Sequence, residues 1–263
     1  MSGENSDTSY WVVRMIEHTL HIVPAWGYAY KEMGKRLVAK IKAAGGHAIL
    51  TEPAREAEPL LYSNRLAKIG MFFETAREQR QYTQYVLLDA DTHFRHLPDY
   101  TPLSNFSSYG LFEDRLTSIK GNWWGIPPSV YEVALRNCQL EDYGWAISQS
   151  LRNFNGGFFC INKRHLYRFY DNFCKAQYIF ACTSLTALEW ASEPATSIAL
   201  QSLGHQPNYE AHNDLFMYDA EGTLDLDAPE LESTVYYSKL PVKGNPAFLH
   251  LIENKNRLLD LIA

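Results

Sequence analysis

Two aspartates, Asp89 and Asp91, end the apolar run Y-V-L-L-D-A-D-T that begins at Tyr85. Side chains two residues apart on an extended chain point to the same side, so both carboxylates are expected to face one site at the carboxyl end of a buried strand. Carboxylate oxygens are suitable ligands for Mg²⁺ or Mn²⁺. The pair therefore predicts a divalent-metal site. Because such a metal can neutralise the charge of a diphosphate, the pair also indicates phosphate or nucleotide-sugar chemistry. A cap on a surface loop is the purely structural alternative.

The segment before these aspartates alternates between short apolar runs and helical patterns. The expected elements are a strand over 20–25, a helix over 28–44, a strand over 47–51, a helix over 60–80 and the strand that ends at Asp89. This order predicts an α/β fold with a mostly parallel central sheet flanked by helices. Ligands of such sheets bind at the carboxyl ends of the strands, where Asp89 and Asp91 would lie.

The second half of the chain is expected to return to the sheet. The expected elements are a strand over 154–162, helices over 164–180 and 194–203, and an apolar segment over 247–250. The acidic stretch over 219–232 is expected to be a surface loop, and about 219–246 comprises this loop and the approach to the last segment. About 1–18 is expected to be an N-terminal extension. Residues 1–263 are expected to form a single domain.

Composition narrows the class of protein. The chain has 263 residues, of which 46% are hydrophobic and 14% aromatic, which is enough for one sizeable core. A net charge of −6 argues against a nucleic-acid partner, because nucleic-acid binders usually carry a basic face. No apolar run has the length of a transmembrane segment and no signal pattern opens the chain, so a cytoplasmic protein is expected. The four cysteines form no C-x-x-C pair, and reduced, buried thiols are expected.

A second motif, F-N-G-G-F-F-C-I-N-K, begins at Phe154. It places Asn155, Gly156 and Gly157 at the start of an apolar strand. Glycines there would let a ligand approach the backbone closely, and the Asn155 side chain could bond a sugar hydroxyl. The alternative is a β-bulge that carries the two glycines without any ligand.

With these two motifs the sequence resembles the metal-dependent GT-A glycosyltransferases, in particular the family 8-like group related to glycogenin and galactosyltransferases. L-L-D-A-D-T is similar to the family's metal-binding D-x-D motif, and F-N-G-G-F-F-C-I-N is similar to its F-N-[SAG]-G strand beside the donor sugar. H-L-I-E-N-K, from His250 to Lys255, resembles the family's late histidine and lysine but lacks the usual Gly and K-P-W ending. The resemblance spans roughly residues 19–257.

The resemblance implies transfer of a sugar from a nucleotide-sugar donor, with UDP as the expected carrier, to an acceptor hydroxyl. The acceptor could be a glycan, a lipid-linked sugar, a small molecule or a protein. The resemblance also implies Mn²⁺ or Mg²⁺ at Asp89 and Asp91, with His250 as a third ligand and Lys255 at the diphosphate. A nitrogen ligand would shift the preference towards Mn²⁺. A structural role is the alternative for His250.

The resembling enzymes contact the donor from the end of the first strand and from the helix before the D-x-D motif. At the corresponding positions Trp26 or Tyr28 would stack on the base. Arg65 and Lys68, one helical turn apart, would reach the donor. A solvated helical face is the alternative for both basic residues.

The acceptor side has two candidate carboxylates, Glu193 and Asp214. Glu193 directly precedes Pro194, which favours the first turn of a helix, and a carboxylate there is stabilised by the helix dipole without any catalytic role. In many GT-A enzymes an acidic residue at the start of this helix faces the acceptor hydroxyl, which makes Glu193 a candidate general base. Asp214 is the second choice. Glycogenin-like motifs imply retention of anomeric configuration, whereas a catalytic Glu193 suits inversion.

Other functions fit parts of the sequence. L-L-D-A-D-T also matches the motif of haloacid-dehalogenase-type phosphatases, in which the first aspartate, here Asp89, is the nucleophile. Those enzymes usually carry the motif near the start of the chain, whereas about 85 residues precede it here. A GT-A-like domain that binds a nucleotide sugar without turnover would have the same motifs. A nucleotidyltransferase is disfavoured because no G-x-G-x-R-type loop follows the first strand.

Overall fold

A five-stranded sheet with helices on both faces forms the centre of the molecule. The computed structural model describes residues 18–53, 63–100, 108–114, 128–138, 153–182, 192–203, 215–219, 223–234, 241–251 and 258. In chain order the described elements are β1 (Thr19–Pro24), α1 (Tyr28–Ala43), β2 (His47–Thr51), α2 (Ser63–Glu78), β3 (Gln84–Leu88), β4 (Thr92–Phe94), β5 (Ser108–Asp114), α3 (Pro128–Asn137), β6 (Asn153–Asn162), a 3₁₀ turn (Lys163–His165), α4 (Leu166–Ala181), α5 (Ser192–Gln201), β7 (Phe216–Asp219), β8 (Leu231–Thr234), β9 (Pro241–Gly244) and β10 (Phe248–Leu251).

The order of strands in the central sheet is β2-β1-β3-β6-β5. β1 pairs parallel with β2 and β3, and β6 pairs antiparallel with β3 and β5, so four strands of this sheet run one way and β6 runs against them. The prediction of an α/β fold with a mostly parallel sheet flanked by helices is confirmed. The carboxyl ends of β1, β2 and β3 share one edge, and Asp89 follows β3 at that edge.

Alternation along β3 divides the core into two layers. Tyr85 and Leu87 pack into one buried cluster, together with residues of α2, α3, α4 and α5. Val86 and Leu88 pack into the other, together with residues of α1. Because both faces of β3 are covered, the strand is apolar from Tyr85 to Leu88, after the buried polar Gln84, as is typical of parallel strands in α/β folds.

A second, three-stranded sheet of order β4-β10-β7 lies at the end of β3. β10 pairs antiparallel with β4, which places His250 opposite Thr92, and it pairs parallel with β7. The chain passes from β3 of the first sheet to β4 of the second through Asp89, Ala90 and Asp91. The two predicted metal ligands therefore lie where the two sheets meet.

Two short strands lie at the end of the acidic loop and in the approach to the last segment. β8 and β9 pair antiparallel as a two-stranded sheet, with Leu231 opposite Gly244. Each strand has only four residues and little apolar character, so periodicity gave no signal for them. β8 overlaps only the last two residues of the surface loop expected over 219–232, and β9 lies in the approach to the last segment, where no strand was expected.

Glycines mark both ends of α1. Gly27 and Gly45 have φ angles of 69° and 88°, which glycine adopts without steric cost. Gly46 N donates to Ile41 O at 3.0 Å and closes the helix, as the Gly-Gly pair predicts. In the described ranges no helix has the length and apolar character needed to cross a membrane.

The cysteines are free thiols with two kinds of surroundings. Cys138 and Cys160 are buried, and burial raises the pKa of the Cys138 thiol to about 12. Cys174 and Cys182 are exposed, so the expectation of buried thiols is wrong for these two. Cys174 lies in the middle of α4 and Cys182 directly after it, and an apolar neighbourhood in the sequence does not tell which face of a helix a residue occupies.

The buried side chain of His21, in β1, contacts both β2 and Tyr100, which follows β4. The Nδ1 atom of His21 lies 2.8 Å from the carbonyl oxygen of His47, and its Nε2 atom bonds the hydroxyl of Tyr100. A carbonyl only accepts, so Nδ1 carries the proton and Nε2 accepts from Tyr100. Burial lowers the pKa of His21 to about 4, because a charged imidazole would lose its water there.

This histidine predicts a pH dependence of stability. The folded pKa of about 4 lies below the reference value of 6.5, so between these values the unfolded chain binds more protons. We expect the free energy of unfolding to fall by up to about 3 kcal/mol from this group as the pH drops through that window. Urea denaturation at pH 7, 5.5 and 4 measures it.

The matched variant is His21→Gln, which can donate and accept hydrogen bonds but does not titrate. Its stability should fall less steeply over the same window, whatever its stability at pH 7. If the free energy of unfolding fell equally steeply with pH in the variant and in the wild type, the pH dependence could not be assigned to His21.

Candidate functional site

Backbone hydrogen bonds from both sheets hold the two aspartates. Asp89 N donates to Gly157 O at 2.9 Å, which extends the β3–β6 ladder by one residue. Asp91 O accepts from Leu251 N at 3.1 Å. Asp91 is buried, whereas the side chain of Asp89 keeps 24% of its surface exposed. The site is thus open to solvent on the Asp89 side and closed on the other.

His250 lies beside both carboxylates. Its Nε2 atom is 3.1 Å from Asp91 Oδ1 and 4.0 Å from Asp89 Oδ2. One ligand atom from each of Asp89, Asp91 and His250 lies within 4.8 Å of the others. The pairing of β10 with β4 brings His250 here, since it stands opposite Thr92, the residue after Asp91.

The donor set and its spacing fit a divalent metal. Two ligand atoms about 2.1 Å from one octahedral ion are about 3 Å apart at right angles and about 4 Å apart across the ion. The distances from Nε2 to the two carboxylates fall in this range. Two carboxylates and one imidazole suit Mn²⁺, and the nitrogen ligand disfavours Mg²⁺. The three residues could therefore hold such an ion with little rearrangement.

Lys68 of α2 is bound into the same site. Its Nζ atom lies 2.9 Å from Asp89 Oδ1 and 2.8 Å from the carbonyl oxygen of Gly156. The residue is buried, and a buried ammonium requires such partners. The alternative interpretation, that Lys68 lies on a solvated helical face, is therefore wrong.

Gly156 of β6 lies next to Lys68 and Glu193. A Cβ atom built on Gly156 would be 3.4 Å from Lys68 Nζ and 3.8 Å from Glu193 Oε2. The β5–β6 register shifts opposite this stretch, since Gly110 faces Phe159 and Phe112 faces Phe154. The bulge considered for the glycines is thus present. Gly156, within this stretch, lies close to both an ammonium and a carboxylate.

Glu193 lies in the first turn of α5, as its position before Pro194 predicts. Its carboxylate is beside Gly156, and its charge, after the larger effect of burial, raises the pKa of Tyr131. The helix dipole stabilises a carboxylate at this position. Tyr131 was missed as a neighbour of the site because α3 follows a long stretch with no periodic signal.

The predicted base-stacking residues lie at the start of α1. Tyr28 is 84% exposed, while the ring of Trp26 stacks on Tyr30 with centroids 6.5 Å apart. Tyr30 was also missed, although its spacing of four residues from Trp26 is the spacing of neighbours on a helix. Both aromatic surfaces follow β1, at the sheet edge that carries Asp89.

Some predicted site residues lie outside what the structure describes. Asp214 and Lys255 belong to undescribed segments. Arg65 and Asn155 lie in α2 and β6, but their side chains are outside the described part.

Comparison with known proteins finds similar chains among the solved structures. No family model matches the chain, and no curated protein matches it. A solved structure of a glycosyltransferase involved in the glycosylation of the major capsid of PBCV-1 is similar over 57% of this chain and 62% of that chain, at 14% identity and a TM-score of 0.37. The likeness thus spans less than two thirds of that glycosyltransferase. A TM-score of this size does not establish a shared family.

The metal site predicts a loss of Mn²⁺ affinity in Asp89→Asn and Asp91→Asn. Each change removes one negative charge and replaces a carboxylate ligand by a weaker, neutral amide oxygen, but it keeps the side-chain shape and the backbone bonds. A change to a direct ligand should cost more than the roughly 10–100-fold that indirect changes cost. Electron paramagnetic resonance of free Mn²⁺ measures the affinity without a substrate. Asp171→Asn, an exposed carboxylate on α4 paired with Lys175, is the matched control. Wild-type affinity in either site variant would contradict the assignment.

As a nitrogen ligand, His250 is expected to make the site prefer Mn²⁺ over Mg²⁺. In His250→Asn an oxygen replaces the nitrogen ligand, so the preference for Mn²⁺ over Mg²⁺ should narrow by roughly tenfold. Competition of Mg²⁺ against bound Mn²⁺ measures the ratio directly. An unchanged ratio would mean that His250 is structural.

Proposed function

We propose that this protein is a metal-dependent glycosyltransferase of the GT-A, family 8-like type. In this proposal it moves a sugar from a nucleotide-sugar donor, with UDP as the carrier, to an acceptor hydroxyl. The observation that carries the proposal is the convergence of Asp89, Asp91 and His250 with Lys68 and Glu193 around the glycines of β6. Motifs far apart in the sequence meet at one sheet edge.

In this proposal the residues around the metal have separate roles. Asp89, Asp91 and His250 hold Mn²⁺, or Mg²⁺ in its place. When bound, the metal supplies Lewis-acid stabilisation of the charge on the departing diphosphate. Lys68 orients Asp89 through its hydrogen bond to Oδ1 and ties it to the Gly156 carbonyl. Asp89 thereby keeps one geometry before the donor arrives, which lowers the cost of binding.

The remaining predicted residues bind the two substrates. Trp26 or Tyr28 stacks on the base, and Arg65 and Lys255 contribute cations near the diphosphate. Gly157 and Gly156, with the Asn155 amide, form a wall against the donor sugar.

On the acceptor side, Glu193 is the candidate acid–base residue and Asp214 the second. If the reaction inverts the anomeric centre, Glu193 takes the proton of the attacking hydroxyl. If it retains configuration, Glu193 instead flanks the donor sugar. The anomeric configuration of the product, read by nuclear magnetic resonance, separates the two roles.

The first experiment screens nucleotide sugars for Mn²⁺-dependent release of the nucleoside diphosphate. We expect turnover with Mn²⁺, loss of turnover in excess chelator and recovery when Mn²⁺ is restored. Full activity in chelator would overturn the metal role. Formation of a phospho-aspartate at Asp89 would favour a phosphatase instead, and donor binding without transfer to any acceptor would favour a non-catalytic domain.

Gly156→Ala tests the proposed sugar wall. The new Cβ atom would lie 3.4 Å from Lys68 Nζ, an ordinary contact, so the fold should be retained. It would nevertheless fill space next to the sugar, so affinity for a UDP-sugar should fall about tenfold, or about 1.4 kcal/mol, while affinity for UDP is kept. Gly70→Ala on α2, whose Cβ would meet only the Tyr170 hydroxyl at 3.8 Å among the described atoms, is the matched control. Isothermal titration in Mn²⁺ measures both ligands, and an equal loss for UDP and UDP-sugar would contradict the wall.

A further inference from the structure

Four exposed cations meet at the start of α4. Lys163 and Arg164 belong to the 3₁₀ turn, and Arg168 lies in the first turn of the helix. The Nζ atom of Lys163 donates to the carbonyl oxygen of Arg80, which follows α2, so Arg80 lies at the same place. All four residues are exposed, and in the described part of the chain none of them forms a salt bridge. We call these four residues the basic cluster.

The carboxylates of the two adjoining helices do not cancel this charge. Glu74 of α2 pairs with Arg77, and Asp171 of α4 pairs with Lys175. Glu78, at the end of α2, is the one further carboxylate on these two helices. It offsets at most one of the four cations, so the basic cluster keeps a positive charge in a chain whose net charge is −6.

His165 responds to the same charge. Burial, and after it the positive charges of Arg164 and Arg168, lowers the pKa of this imidazole. Two guanidinium groups thus lie close enough to oppose a further positive charge. The start of α4 therefore has a positive potential that favours an anionic partner.

The outer face of α4 also carries large apolar side chains. Tyr167 and Tyr178 are 61% and 73% exposed, and they lie on one side of the helix because they are about three turns, or about 16 Å, apart. Val133 of α3, which packs on α4 through its neighbour Tyr131, is 48% exposed. Singly exposed apolar residues are common, but these three flank a cluster of cations on one surface.

The basic cluster lies away from the candidate metal site. β6 runs from Gly156, beside that site, to Asn162, which pairs with Gln84 at the start of β3. The cluster follows Asn162 and is therefore at the sheet edge opposite Asp89. A partner at the cluster leaves Asp89 accessible.

We propose that the outer face of α4, with the basic cluster, docks on a membrane surface that carries anionic lipids. Lysine and arginine side chains are attracted to the negative surface potential of such a membrane. Tyrosine, with an apolar ring and a polar hydroxyl, is suited to the boundary between headgroups and acyl chains. This inference does not rest on the proposed function, and it adds a partner on a different surface.

The test measures binding of the full chain to vesicles by flotation, with chelator present so that no metal takes part. The vesicles are phosphatidylcholine alone or equal parts of phosphatidylcholine and phosphatidylserine. We expect binding to the anionic vesicles only. This binding should weaken several-fold between about 0.05 M and about 0.5 M NaCl, because salt screens exposed charges.

Arg164→Gln with Arg168→Gln removes two of the cations. Each basic residue near an anionic surface contributes about fivefold in affinity, so binding should fall roughly 25-fold. Lys35→Gln with Lys42→Gln is the matched control, because it removes the same charge from exposed positions of α1, on the other face of the central sheet. The control should bind as the wild type does, and thermal melting verifies that both variants are folded.

An environment-sensitive fluorophore on Cys174 reports the docked face directly. Cys174 is exposed on α4 between the two tyrosines, and in Cys182→Ser the remaining cysteines, Cys138 and Cys160, are buried. The emission should shift to the blue with anionic vesicles. The same fluorophore at Lys35→Cys, with both exposed cysteines changed to serine, should not shift.

Three results would overturn the proposal. One is absence of binding to anionic vesicles at low salt, which would make an acidic macromolecule the candidate partner of the cluster. The second is wild-type binding in the double arginine variant. The third is a fluorescence shift on α1 without one on α4, which would place the membrane on the other face. None of these results bears on Mn²⁺ binding or sugar transfer.

Discussion

Two backbone hydrogen bonds fix the loop between β3 and β4, and the geometry of the site depends on them. One comes from each sheet: Asp89 N donates to Gly157 O, and Leu251 N donates to Asp91 O. Because the direction of a side chain follows from its backbone, these bonds aim both carboxylates before any ligand is present. The same bonds bring Gly157 of β6 and, through its neighbour Leu251, His250 of β10 into the site.

The charged groups of the site stabilise one another. A buried carboxylate without a partner is costly, and removal from water is offset only by good hydrogen-bond geometry. Lys68 meets Asp89, and His250 meets Asp91. These partners let the site hold carboxylates at the edge of a hydrophobic core, and they leave Asp89 accessible from solvent. The same few contacts thus hold the groups of the proposed site in place and stabilise their charges.

The parts of the fold that the sequence predicted are those with local signals. β3 is covered on both faces, so its apolar run is unbroken, and the glycines after α1 end that helix. The pairing of β4 with β10 had no such signal, because the strands have three and four residues and lie far apart in the chain. His250 therefore entered the metal site only through a resemblance. For Lys68 the helical pattern was compatible with either a solvated or a buried position, and only the packing of α2 against β6 decides between them.

His250 and Asp91 are separated by 159 positions along the chain. A contact of this separation closes a very long loop, whose entropy must be overcome before the contact contributes anything. During synthesis the aspartates leave the ribosome long before the histidine does, so the nascent chain carries an incomplete ligand set. Capture of a metal by all three residues would therefore have to await the last strand, and an occupied site would mark a chain whose two sheets have come together.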